Sequence, residues 1–427
     1  MNDEPTYAKT VLDNGVRVIS EQLPYVRSVS LGLWVGVGSS HEEPPVRGIS
    51  HLIEHMLFKG TPSRSARAIA ELMDSIGGNL NAFTDKEVTC YHGRVVDAHV
   101  GLAFDVLADM FRNAKFDPMD LRNEQQVILE EIRMYDDSPD EVSQDLFLRS
   151  VWAGSSLGEP TIGYAETVSS ITRDAISAYM AKRYTPDRVV VTAAGNIEHA
   201  QFVKLVQDRL IDMKGAYAGD DPSPPTFRPT VNGRQKDCEQ VYLLIGAEGV
   251  GAGDDRRYAL SVLDAILGGG MASRLFQEIR EKRGLVYSVY SAHNAYRSAG
   301  VFSVAASSSP KNAVEVVSLI RQELSRMAED GVSAEELSRA KEHIKGNLLL
   351  SLESTSTRMI RLGRSELNIG RHIPTAEIAA RIDAVTKEEV DDFARQLFEG
   401  DRVALTVLGP VDTQLVADAF ESLPQSA

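Results

Sequence analysis

The chain has 427 residues, too many for one compact core when a typical domain holds about 100–200, so two domains are expected. Hydrophobic residues make up 43% and charged residues 25%, which is ordinary for a soluble globular protein. A net charge of −16 and a pI of about 5.1 exclude a phosphate-backbone binder, which needs a basic face, and permit a cavity that attracts cationic ligands.

The start, MNDEPTYAKT, lacks the basic and apolar regions of a secretory signal. No apolar run reaches the roughly 18 residues of a membrane span. Cys90 and Cys238 form neither a Cys-x-x-Cys pair nor a disulfide framework. A cytoplasmic protein with no nucleic-acid and no membrane partner is expected.

In chain order, TVLDNGVRVISEQL predicts a hairpin around Asn14-Gly15, and SVSLGLWVGVGSS a strand. Helices are predicted over roughly 48–59, 65–77 and 98–112, with a strand over about 79–95. A long helix is predicted from Pro118 to about Tyr135. The stretch GAYAGDDPSPPTFRPTVN carries Pro222, Pro224, Pro225 and Pro229 and has linker composition. Beyond it the order recurs: a strand near 240, a helix over 255–267, a strand over 286–306 and a long helix over 333–350.

The ends of the two halves match. A constant offset of 214 pairs Thr172 with Thr386, Tyr179 with Phe393, Asp187-Arg188-Val189 with Asp401-Arg402-Val403, and Gly195 with Gly409. Chance does not readily give so many matches without a gap, so the halves are read as an internal duplication. Strands and helices without strict βαβ alternation indicate an α+β fold. Two homologous domains are expected, each a mostly antiparallel sheet with helices packed on one face.

The stretch HLIEH, His51 to His55, occurs in the first half only; the corresponding second-half helix, RRYALSVLDAILGGG, has no histidine. On a helix, His51 and His55 lie within about 40° of each other, and Glu54 about 60° to the other side. Both imidazoles can reach one ion, with a carboxylate beside them. Equally, Leu52, Ile53, Met56 and Leu57 form the core face of an ordinary amphipathic helix. A catalytic zinc needs a third protein ligand. Glu124 and Glu131 share a face of the long helix to within about 20°, while Glu130 points elsewhere. Taken alone, they also read as a solvated acidic face.

HLIEH followed by Glu124 and Glu131 resembles the inverted-motif zinc metallopeptidases, the family of insulin-degrading enzyme, pitrilysin and the mitochondrial processing peptidase. In that family the third ligand is a glutamate about 75 residues past the second histidine, with another acidic residue seven earlier. SIGGNLNAFTDKEVTCYHGRV resembles the family's substrate-binding edge strand. LGGGMASRLFQEIREKRGLVYSVYS resembles the segment bearing its Arg and Tyr, here Arg280 and Tyr287. The resemblance covers nearly the whole chain, which looks like the small bacterial two-domain members that resemble the processing peptidase β subunit.

The resemblance implies a zinc-dependent endopeptidase acting on extended peptides in an enclosed chamber, with one zinc ion per chain. His51, His55 and Glu131 would hold the metal, and Glu54 would be the general base. Glu124 would orient a histidine ligand. Arg280 and Tyr287 would offer donors to the substrate carbonyl, reaching across from the opposite subunit of a homodimer. Asn81, Ala82 and Phe83 would pair with substrate by β-augmentation. The implied layout is a catalytic zinc-binding domain over 1–214, a linker over 215–235, and a domain over 236–427 that lacks metal ligands. The alternative is a non-catalytic peptide-binding or scaffold subunit; a related inactive partner is a further option for a catalytic chain. Replacing any ligand or the base would mark the scaffold, and all four residues are present.

Overall fold

The computed structural model describes residues 6–219 and 221–422. The first ten residues, MNDEPTYAKT, therefore fall partly outside the described residues.

The strands of the first half are β1 (Thr6–Val11), β2 (Arg17–Gln22), β3 (Ser28–Val35), β4 (Asn79–Thr84), β5 (Thr89–Val96) and β6 (Val189–Gly195). Its helices are α1 (Ile49–Leu57), α2 (Ala66–Ser75), α3 (Val100–Asn113), α4 (Pro118–Asp137), α5 (Pro139–Val151), α6 (Ala165–Ser170), α7 (Arg173–Arg183) and α8 (His199–Leu210). The second half has β7 (Val231–Gln235), β8 (Val241–Glu248), β9 (Val286–Ala295), β10 (Gly300–Ser308) and β11 (Ala404–Gly409). Its helices are α9 (Arg257–Leu267), α10 (Ala313–Glu329), α11 (Ala334–Ser351), α12 (Thr355–Ile369), α13 (Thr375–Ala384), α14 (Lys387–Phe398) and α15 (Thr413–Glu421).

The matched ends of the halves do the same physical work twice. Thr172 and Thr386 are the N-caps of α7 and α14, each accepting a backbone N–H with its side chain. Gly195 and Gly409 end β6 and β11 at φ 137° and 151°. A Cβ on Gly195 would stand 2.1 Å from the Ser28 carbonyl oxygen, and one on Gly409 2.8 Å from that of Gln240, so both sites require glycine.

The sheets repeat as well. The first runs β1-β2-β6-β3-β5-β4 and the second β7-β11-β8-β10-β9, so the first has one extra edge strand. The pairs β2–β6 and β7–β11 are parallel and the rest antiparallel. The fold is α+β with two sheets, as expected.

The single strands predicted over 79–95 and 286–306 are each a hairpin, β4–β5 and β9–β10. A strand that long would run for about 55 Å or more. The turns that break them are held by Asp85 N–H to Val88 O at 2.8 Å and Tyr296 N–H to Ala299 O at 2.8 Å. The stretch 215–235, read as linker, ends in β7, which extends the second sheet.

The chain forms two compact units that exchange segments. The first holds residues 1–133, 159–222 and 351–372; the second holds 134–158, 223–350 and 373–427. In each, helices of the unit's own half cover one sheet face. In the first unit, Val29, Leu31, Leu33 and Val35 of β3 face a core with α1, α3, α7 and α8. The opposite face carries the exchanged helix α12, packed on Trp34, Ile19, Cys90 and Val190 through Met359, Leu362 and Leu367. Trp34 Nε1 donates to Thr192 Oγ1 at 2.9 Å, and buried Glu366 of α12 accepts from Lys9 at 2.7 Å. In the second unit, α5 covers the matching face with Phe147 and Val151 against Leu244, Val301, Ala305 and Ala404.

Gly363 is where α12 meets the Trp34 ring: a Cβ there would lie 2.2 Å from a ring carbon. Gly346 in exposed α11 has nothing within 4 Å of that position. Gly363→Ala is therefore expected to destabilise by about 1–3 kcal/mol through overpacking. Gly346→Ala is expected to stabilise by about 0.5–1 kcal/mol through helix propensity. Thermal melting of both variants beside wild type reads the opposite signs.

Candidate metal centre

The register of α1 is set by its core. Leu52, Ile53, Met56 and Leu57 have no exposed surface. With those positions committed to the interior, His51, Glu54 and His55 share the remaining side. The helix is amphipathic, and its polar face gathers the histidines. Their ring centroids lie 4.6 Å apart.

Helix α4 brings the third group. Leu121 and Ile128 anchor it in the same core, and Gln125 Nε2 donates to the carbonyl oxygens of Val168 at 2.8 Å and Ile171 at 3.0 Å. Its Glu131 carboxylate then stands 3.7 Å from His51 Nε2 and 3.7 Å from His55 Nε2. One ligand atom from each of the three residues lies within 4.8 Å of the others, and this is the one such group of three among the described residues. Zinc bonds near 2.05 Å in tetrahedral geometry place ligand atoms roughly 3.3 Å apart. Two imidazole nitrogens and a carboxylate at this spacing fit a zinc ion.

Glu124, one turn pair earlier on α4, accepts from His55 Nδ1 at 3.1 Å. That bond leaves His55 Nε2 facing Glu131, the arrangement a metal-ligating histidine uses. Lys59 Nζ holds the other Glu124 oxygen at 2.6 Å. Glu130 points away and pairs with Arg133 on the exposed side. Glu54 accepts from Thr84 Oγ1 at 2.6 Å, and burial raises its pKa. Burial, then the neighbouring His55, lowers the His51 pKa to about 4. Its Nδ1 is buried without a hydrogen-bond partner among the described residues.

Asn81, Ala82 and Phe83 lie on β4, which is an edge of the first sheet, and β4 ends at the Thr84 that binds Glu54. The end of this edge strand is therefore next to the candidate base. Arg280 and Tyr287 belong to the second unit. Arg280 sits in a π-helical turn over Phe276–Glu281, and Tyr287 on the edge strand β9. The guanidinium carbon lies 5.5 Å from the Tyr287 ring centroid, and both side chains are exposed.

Sequence reasoning missed Thr84 and Lys59. Lys59 lies four residues past His55, the helical spacing that marks a shared face, and was readable on that ground. Thr84 acts from a strand end, where spacing carries no such signal.

In the metal-free chain, neutral His51 in the fold faces an ordinary histidine when unfolded. At His51, between about pH 6.5 and 4, the unfolded chain then binds more protons, so the contribution of His51 to stability falls as pH falls through that window. His51→Gln is expected to remove this contribution, making the melting temperature of apo protein fall less, relative to wild type, as pH drops. An unchanged slope would show that His51 does not titrate this way.

A family model described as "Insulinase (Peptidase family M16)" matches residues 17–164, and one described as "Peptidase M16 inactive domain" matches residues 170–344. The chain is 44% identical over 399 residues to the Bacillus subtilis protein named uncharacterized zinc protease YmxG, covering 93% of this chain and 97% of that protein. It is 43% identical over 427 residues to an uncharacterized zinc protease of Mycobacterium tuberculosis, covering 98% and 95%. Among solved structures, a protease from Helicobacter pylori matches with TM-score 0.88 at 20% identity, over 95% of this chain and 100% of that one. A Pseudomonas fluorescens structure titled peptidase M16 inactive domain matches with TM-score 0.87 at 21% identity, over 95% and 98%. These last two speak to the fold alone. Among the described residues no helix is long and apolar enough to cross a membrane. The family models and the zinc-protease relatives span the chain together, and the protein belongs to peptidase family M16.

Proposed function

We propose that the chain is a zinc-dependent endopeptidase that cleaves extended or unfolded peptides, working as a homodimer around an enclosed chamber. The observation that carries this reading is the convergence of His51, His55 and Glu131 beside a buried Glu54. The three would hold one zinc ion per chain. When bound, zinc supplies Lewis acidity at neutral pH.

The chain's own groups have distinct tasks. Glu54, its pKa raised by burial, is suited to take a proton from water and return it to the leaving amine. The Thr84 hydroxyl fixes which way that carboxylate points. The Glu124 carboxylate holds the His55 tautomer, and Lys59 holds Glu124. The outer edge of β4, at Asn81, Ala82 and Phe83, offers backbone groups to an extended peptide while reading little of its sequence. Arg280 and Tyr287 offer donors for a peptide carbonyl bound in the partner subunit. The free Cys90 and Cys238 accord with a reducing, cytoplasmic setting.

Cleavage of a basic, unstructured fluorogenic peptide by wild type and Glu54→Gln, both loaded with zinc, tests the reading. Turnover is expected to fall by about 10²–10⁴-fold in the variant with zinc content unchanged. Equal turnover would contradict Glu54 as base. Mixing Glu54→Gln with Tyr287→Phe chains is expected to recover part of the activity; no recovery in confirmed mixed dimers would count against sites shared between subunits.

A further inference from the structure

The carboxylate of Glu42 is almost wholly buried, at 6% exposure, and lies outside the metal cluster. One oxygen accepts the Gly48 N–H at 2.7 Å and the other the Ser50 N–H at 2.8 Å. These are donors at the start of α1 that no helical carbonyl can satisfy, and a carboxylate suits that end of a helix. Gly48 itself has φ 93°, and a Cβ on it would stand 2.7 Å from the Ile162 carbonyl oxygen. The Ser50 hydroxyl lies 3.0 Å from Tyr179 Oη on α7.

The loop leading to Glu42 has a second attachment. Ser39 N–H donates to Asp85 O at 3.1 Å and Ser40 N–H to Lys86 O at 2.7 Å. That turn directly follows Thr84, the partner of Glu54. One short segment thus grips the end of β4 and the first turn of α1, and His51 is the next residue after Ser50.

Burial of a carboxylate is costly, and here the two backbone N–H bonds offset part of that cost. Burial pushes the Glu42 pKa up to about 7, although both backbone bonds oppose that shift. The bonds it makes tie the loop before α1 to the first turn of that helix.

We propose that Glu42 is a positioning residue that sets the N-terminal turn of α1, and through it the placement of His51 against His55 and Glu131. The proposal rests on the reading of those three residues as a zinc site.

The test is the zinc dissociation constant of the full chain, measured by chelator competition, for wild type, Glu42→Gln and Val206→Ala. A glutamine carbonyl can accept only one of the two N–H groups, and its amide would face the other. Val206 is fully buried on α8 and serves as a control for general destabilisation. Glu42→Gln is expected to weaken zinc binding by about 10–100-fold, the range seen when a metal site's outer supports are removed. Val206→Ala is expected to lower the melting temperature and leave zinc affinity unchanged. Should Glu42→Gln not fold, Glu42→Asp, which keeps the charge on a shorter side chain, is expected to weaken zinc by a smaller factor, about threefold. Wild-type affinity in Glu42→Gln, or in Glu42→Asp if that variant must serve, would overturn the role of Glu42. So would equal losses in Glu42→Gln and Val206→Ala. Absence of zinc binding by wild type would overturn both this inference and the metal reading.

Discussion

Two helices that start 69 residues apart must deliver three side chains to one point, and the rest of the first unit serves that demand. The Glu131 carboxylate stands 3.7 Å from an imidazole nitrogen of each histidine, close enough that an error of one helical residue in either element would destroy the cluster. A residue step rotates a side chain by about 100°. The registers are protected by burial. Four consecutive-turn residues of α1 are inaccessible to water, and Leu121 and Ile128 commit α4 to the same core. Polar ties then refine what packing sets: Glu124 to His55, Lys59 to Glu124, and Thr84 to Glu54.

The sheet beneath these helices is closed on its other face by a helix from the far half of the chain. Alternation along β3 sends odd-numbered residues to the layer that carries His51 and His55, and Trp34 to α12. The second unit repeats the device with α5, where Gly246 makes room for Phe147. Each sheet is therefore a buried middle layer, which accounts for strands such as β6 that are buried along their whole length.

Much of this was legible in the sequence because it depends on local chemistry. The N-cap threonines and strand-ending glycines exposed the duplication, since caps and positive-φ positions admit few residues. His51, Glu54 and His55 were legible through helical spacing, and Glu131 through its resemblance to a family pattern. The exchange of α5 and α12 was not legible. Nothing in an amphipathic helix says which sheet it covers, and both helices lie beside their own half in sequence. The hairpins at 79–96 and 286–308 were hidden because their turns, around Asp85 and Arg297, are short and flanked by residues that read as strand. Glu42 was hidden for a different reason: a carboxylate acting on backbone N–H groups leaves no side-chain partner to find.

The proposed activity depends on a single ion held by His51, His55 and Glu131. Anomalous diffraction at the zinc edge, from crystals of the wild-type chain grown with zinc, addresses it directly. The predicted result is one strong peak per chain, within bonding distance of His51 Nε2, His55 Nε2 and a Glu131 oxygen. No peak there, or a peak bound by other residues, would contradict the central claim.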